Sequence, residues 1–207
     1  MTATAGMVQV KIVKAGGAGA GPGKMTCDEI CAQFDPPIKF GSHSNMVGSK
    51  KKHQAEHIVP TSAFHDLGRS GDLVKGCEGY TTSGALTWMV GDGQSEGAEH
   101  KMLTDPMREF SQANDLADKN GTLDQWLDKY EEGTKKALED SKTRKIKNNK
   151  LNRQSLIEAA AKCIRDKAAQ SFAEKEPPIK GNTKLRNPWP ATQEQRAALG
   201  AGRGSRM

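Results

Sequence analysis

Lys50-Lys51-Lys52-His53-Gln54-Ala55-Glu56-His57-Ile58-Val59-Pro60 is the stretch on which the fold turns. Read as a helix, it places His53 and His57 at i and i+4 on one face. Read as a strand, Glu56-His57-Ile58-Val59 is an extended run that Pro60 stops. The flanks favour the strand. Pro60 disfavours helix at Val59 and Gly48 lies just upstream, so a helix here has room for barely two turns. The stretch also combines phosphate-attracting cations, a carboxylate and two imidazoles.

Working outward, Ala85-Leu86-Thr87-Trp88-Met89-Val90 has strand composition and ends at the turn signal Gly91-Asp92-Gly93. Glu96 to Phe110 is helical in composition, with Pro106 expected to interrupt or restart the helix. Upstream, Thr26 predicts the cap of a helix from Cys27, with Asp28 and Glu29 in its first turn, ending before Pro36-Pro37. Downstream, Leu123, Trp126, Leu127 and Tyr130 form the apolar stripe of an amphipathic helix, and Leu151 to Phe172 predicts another. Tyr80 and Trp88 read as core. The fold class is α+β, a small ββα core within a mainly helical domain. The divisions are a flexible segment over 1–24, a domain over 25–175 and an extended or disordered tail over 176–207. Within the domain, the core spans about 38–110 and a basic helical region about 111–175.

The 207 residues have a mean hydropathy of -0.72, which implies a modest core, and no apolar run is long enough to span a membrane. Nothing at the N-terminus resembles a secretory signal peptide. The four cysteines, Cys27, Cys31, Cys77 and Cys163, are expected as packed thiols in a reducing compartment. Net charge is +6, and residues 111–207 carry +7 of it against -1 for residues 1–110. All five histidines, His43, His53, His57, His65 and His100, fall in the first 100 residues, which makes that half the place to look for a reactive centre.

Two chemistries compete for the histidine stretch. On a helix, His53-Gln54-Ala55-Glu56-His57 is the HxxEH string of a zinc metallopeptidase, two imidazoles on the metal and a Glu to activate water. At a strand end, Glu56 can bind a cation while His57 acts as general base on water, the pairing that phosphodiester hydrolysis needs. Adjacent strand residues point to opposite faces, so the pair converges only where the strand twists or ends.

Ala55-Glu56-His57-Ile58-Val59-Pro60, followed by Phe64-His65 and later by Glu99-His100, resembles the HNH/endonuclease VII superfamily of ββα-metal nucleases, above all the toxin branch with a GHH or AHH signature. The resemblance covers about residues 50 to 110. It implies Glu56 as first metal ligand, His57 as general base and His100 as second ligand, with Glu in place of the first His of the GHH form. His53, His65 and Asp92 are second-tier candidates. A Glu oxygen favours Mg²⁺ or Mn²⁺, and His100 leaves Zn²⁺ or Ni²⁺ open. The resemblance further implies a largely sequence-nonspecific DNase. It would act as an antibacterial toxin made in the bacterial cytoplasm, exported by a specialised route such as type VI secretion, and restrained by an acidic immunity protein.

Lys50, Lys51 and Lys52 beside the dyad are the first candidates for holding DNA. Lys142, Arg144, Lys145, Lys147, Lys150 and Arg153 form a second basic run with no acid between 142 and 153. The same run equally suits a solvated helix face. A non-catalytic nucleic-acid-binding protein with structural histidines is the alternative from another class.

Overall fold

A computed structural model describes residues 8–10, 23–49, 53–69, 71–91, 98–148 and 150–204. In chain order the elements are β1 (Val8–Val10), β2 (Gly23–Met25), α1 (Cys27–Ala32), β3 (Phe34–Asp35), β4 (Phe40–Ser42) and α2 (His43–Met46). They continue with β5 (His53–His57), β6 (Leu86–Gly91), α3 (Glu99–Leu116), α4 (Leu123–Asp140), β7 (Lys145–Ile146), α5 (Arg153–Ala173) and α6 (Gln193–Gly204). The chain is α+β. Its strands pair antiparallel: β1 with β2, β3 with β7, and a sheet of order β4-β6-β5.

Local sequence accounts for the helix starts. Thr26 closes a capping box with Glu29 on α1, and Thr122 closes one with Gln125 on α4, each satisfying two backbone donors that a helix start otherwise leaves open. On α4 the stripe of Leu123, Trp126, Leu127 and Tyr130 is buried, as its spacing predicts. Trp88 at the centre of β6 donates from Nε1 to Tyr130 Oη at 2.6 Å, tying the sheet to α4.

The expected break at Pro106 does not occur: α3 runs unbroken from Glu99 to Leu116. Pro106 lacks the amide that would bond the Met102 carbonyl. α4 approaches at that point through Gly133, where an added Cβ would lie 3.5 Å from that carbonyl and 3.6 Å from the Pro106 ring. The helix continues across the missing bond where α4 packs against it.

Three further expectations are corrected. Cys27 and Cys163 are joined in a disulfide that ties the start of α1 to α5, their Cα atoms 5.4 Å apart, so only Cys31 and Cys77 remain as buried thiols. A separation of 136 residues hides such a pairing from local reading. Beyond 176 the chain has no helix up to Thr192 but is packed down, and Gln193–Gly204 forms α6 where an extended or disordered tail is expected. Ile179 and Leu185 are buried in the main core, and the backbone of 181–185 runs along the start of α4. There Leu123 N donates to Thr183 O, Asp124 N to Gly181 O and Leu185 N to Gly121 O, each at 2.9 Å. Isolated apolar residues between polar ones give this strap no period to read. Within 1–24, Val8–Val10 pairs with Gly23–Met25, so the alternating Val8 and Val10 mark a strand where a flexible segment was expected. No helix of the described residues is long and apolar enough to cross a membrane.

Candidate active site

β5 is an edge strand, paired with β6 in a register that sets Gln54 opposite Val90, Glu56 opposite Trp88 and His57 opposite Thr87. Strand alternation therefore places Gln54 and Glu56 on one face, with Trp88, and His53 and His57 on the other. The helix that the HxxEH reading requires is absent, because residues 53–57 are extended.

The first face meets α3. Glu99, Leu103, Met107 and Ser111 are buried on that helix, and the adjoining row His100, Thr104 and Arg108 lines a cleft beside β5. Glu56 Oε2 lies 2.7 Å from His100 Nδ1, and Gln54 Nε2 donates to the same carboxylate oxygen at 3.2 Å and also touches His100 Nδ1. A buried staple sets the start of α3. Glu99 accepts from Arg144 Nε at 2.9 Å and Nη2 at 3.2 Å, from Ser141 Oγ at 2.8 Å and from Gly91 N at 2.8 Å. Arg144 also donates to the carbonyls of Met89 and Pro36, and its guanidinium lies 5.4 Å from the Trp88 ring. This places His100 opposite Glu56.

On the other face of β5, the His57 ring lies 4.2 Å from that of His43, the first residue of α2. Burial, then the neighbouring His43 and Arg69 charges, lower the His57 pKa from 6.5 to about 4, against a hydrogen bond to the Thr82 backbone that favours the proton. Its Nε2 is buried and makes no hydrogen bond. With its pKa lowered to about 4, His57 is a neutral imidazole at neutral pH.

Both faces open into one cleft of about 860 Å³ at the edge of β5, lined by His43, His53, Gln54, Glu56, His57, Arg69, Thr82, His100, Thr104, Arg108 and Trp189. Glu56 and His57, on opposite faces of the strand, both line this cleft. Of the second-tier residues, His53 joins the cleft. His65 does not: its Nδ1 lies 2.7 Å from Gly71 O and its ring packs edge-on against Tyr80. Asp92, Lys50, Lys51 and Lys52 lie outside the described residues.

The 142–153 run does not reach the cleft, and Arg144 is no DNA contact at all, its side chain being 1% exposed within the staple. Lys142, Lys145, Lys147 and Lys150 are exposed elsewhere, Lys147 Nζ bonding Ala32 O. Arg153 caps the end of α4 through the Leu138 and Glu139 carbonyls. Among the described residues the cleft's cations are Arg69 and Arg108. Arg108, with Thr104, was findable, since the two follow His100 at i+4 and i+8 on one helix face. Nothing local in sequence marks Arg69, His43 or Trp189.

Among the described residues no group of three or more His, Cys, Asp or Glu side chains is arranged to hold a metal ion. Glu56 and His100 are a two-donor set, one carboxylate oxygen and one imidazole nitrogen facing each other beside open space, and this fits a cation that takes its other ligands from water and phosphate. No protein-family model, curated protein or solved structure matches the chain.

Proposed function

We propose that the chain is a metal-dependent DNA endonuclease of the ββα-metal type, acting as an antibacterial toxin. The observation that carries this reading is the apposition of Glu56 and His100 at 2.7 Å in a cleft that His57 also lines. The order of elements supports it: two antiparallel strands, β5 and β6, precede a helix that supplies His100 near its start. The toxin role and an acidic immunity partner rest on the sequence resemblance alone.

In the mechanism, the His57 imidazole takes a proton from water, and the hydroxide attacks phosphorus in line with the departing 3′ oxygen. Arg69 and Arg108 offset phosphate charge at its walls. Glu56 and His100 would hold a divalent cation, Mg²⁺ or Mn²⁺ before Zn²⁺ or Ni²⁺, whose charge when bound stabilises the scissile phosphate and the leaving oxygen.

The test is nicking of supercoiled plasmid by the protein and its His57→Ala variant in Mg²⁺, Mn²⁺, Zn²⁺ or EDTA. Cleavage that needs metal and vanishes in the variant is expected. Plasmid left intact by folded protein in every metal would sink the DNase reading and leave a binding protein.

A further inference from the structure

Trp189 sits in the cleft for a reason that the mechanism above does not use. The chain has three tryptophans; Trp88 and Trp126 are fully buried, whereas Trp189 is partly exposed and lines the same cleft as Glu56, His57 and His100. It lies between Pro188 and Pro190 on the strap that Ile179 and Leu185 anchor in the core. Ser111, buried on α3, grips its backbone twice, Oγ donating to Trp189 O at 2.9 Å and accepting from Trp189 N at 3.0 Å. Two residues on, Ala191 N donates to Asp115 Oδ2 at 2.8 Å. These bonds fix the backbone of the strap, and the half-buried indole packs partly against the core while lining the cleft. The Arg108 guanidinium lies over the ring, 5.9 Å from its centre.

An indole held rigid by its backbone, flanked by a cation and set across a cleft from a phosphodiester-cleaving centre has the makings of a stacking platform for a base. Bases paired within a duplex are not available to such a face, whereas an unpaired base presents its whole π surface. We propose that Trp189, with Arg108, stacks an unpaired base of the substrate, so that the cleft prefers single-stranded or locally opened nucleic acid over continuous duplex. This rests on the nuclease reading of the same cleft, and it names the substrate class.

Fluorescence tests it directly, because Trp88 and Trp126 are shielded and Trp189 is placed to report contact. The full chain is titrated in EDTA with an oligothymidylate of about 12 nucleotides and with the corresponding blunt duplex. The single strand is expected to quench tryptophan emission and to bind more tightly than the duplex. Trp189→Ala should weaken single-strand binding about tenfold, followed by anisotropy of a labelled oligonucleotide. Trp189→Phe should retain most of the affinity while losing the quenching, and Arg108→Ala should weaken binding with unchanged circular dichroism. Equal binding and quenching by the duplex overturns the strand preference. Plasmid cleavage with no quenching, and affinity within about twofold in Trp189→Ala, overturns the platform and leaves the nuclease standing. Quenching by the oligonucleotide in a protein that cuts no plasmid does the reverse.

Discussion

Glu99 and Arg144, 45 residues apart in sequence, form a two-pronged ion pair from which solvent is excluded, the guanidinium reaching both carboxylate oxygens at 2.9 and 3.2 Å. Removing one partner strands a buried charge, so Arg144→Met should lower stability by about 3–5 kcal/mol in urea unfolding. The double variant Glu99→Leu/Arg144→Met should lose much less than the two single losses combined. Additive losses would show that the pair is not coupled.

Turnover and metal affinity should separate by residue. His57→Ala is expected to cut plasmid nicking by about 10²–10⁴-fold while titration calorimetry gives nearly the parental Mn²⁺ affinity. Glu56→Gln and His100→Ala should lower that affinity about tenfold or more and lose cleavage with it. Equal Mn²⁺ binding by His100→Ala would remove His100 from the site.

The metal-free protein should lose stability on mild acidification. His57 binds its proton near pH 4 when folded and near 6.5 when unfolded, so between those values the unfolded chain holds the extra proton. The contribution is complete above pH 6.5, falls as pH is lowered towards 4 and is flat below. Discounted for the solvent that reaches the ring, it amounts to about 1–3 kcal/mol. Urea midpoints in EDTA from pH 7.5 to 4 should show this slope, and His57→Phe should flatten it.

Two thiols should resist labelling. Burial pushes Cys31 up to about 12 and Cys77 to about 11, so neither supplies thiolate at neutral pH. A thiol reagent is expected to modify no cysteine of the native oxidised protein and two after unfolding, counted by mass spectrometry. Reduction of the Cys27–Cys163 bond should cost about 2–5 kcal/mol of stability.

Gly133→Ala should raise stability by about 0.5–1 kcal/mol, because the added Cβ meets its neighbours at 3.5 Å or more while the helix gains a better former. Gly133→Leu should lower it by forcing α4 off α3. Thermal melts of both variants check the sign.

The segments legible in sequence were those whose signal is local. β5 ends at His57, two residues short of the run that Pro60 bounds, Thr26 caps α1, and the Leu123 to Tyr130 spacing marks the buried face of α4. Glu56, His57 and His100 were named from motif and meet in one cleft. What escaped depends on distant partners. In a run of like charges, nothing distinguished Arg144, which turns inward to Glu99, from Lys145, which stays in water. Leu185 is buried because the strap crosses α4, a contact with no period along the chain.

The bond between Cys27 and Cys163 turns the intervening chain into a covalent ring, and Glu56, His57 and His100 all lie on it. One protease cut inside that ring linearises it without yielding two pieces. A singly nicked protein would therefore keep its base and both candidate ligands on one molecule, running as one band without reductant and as two with it.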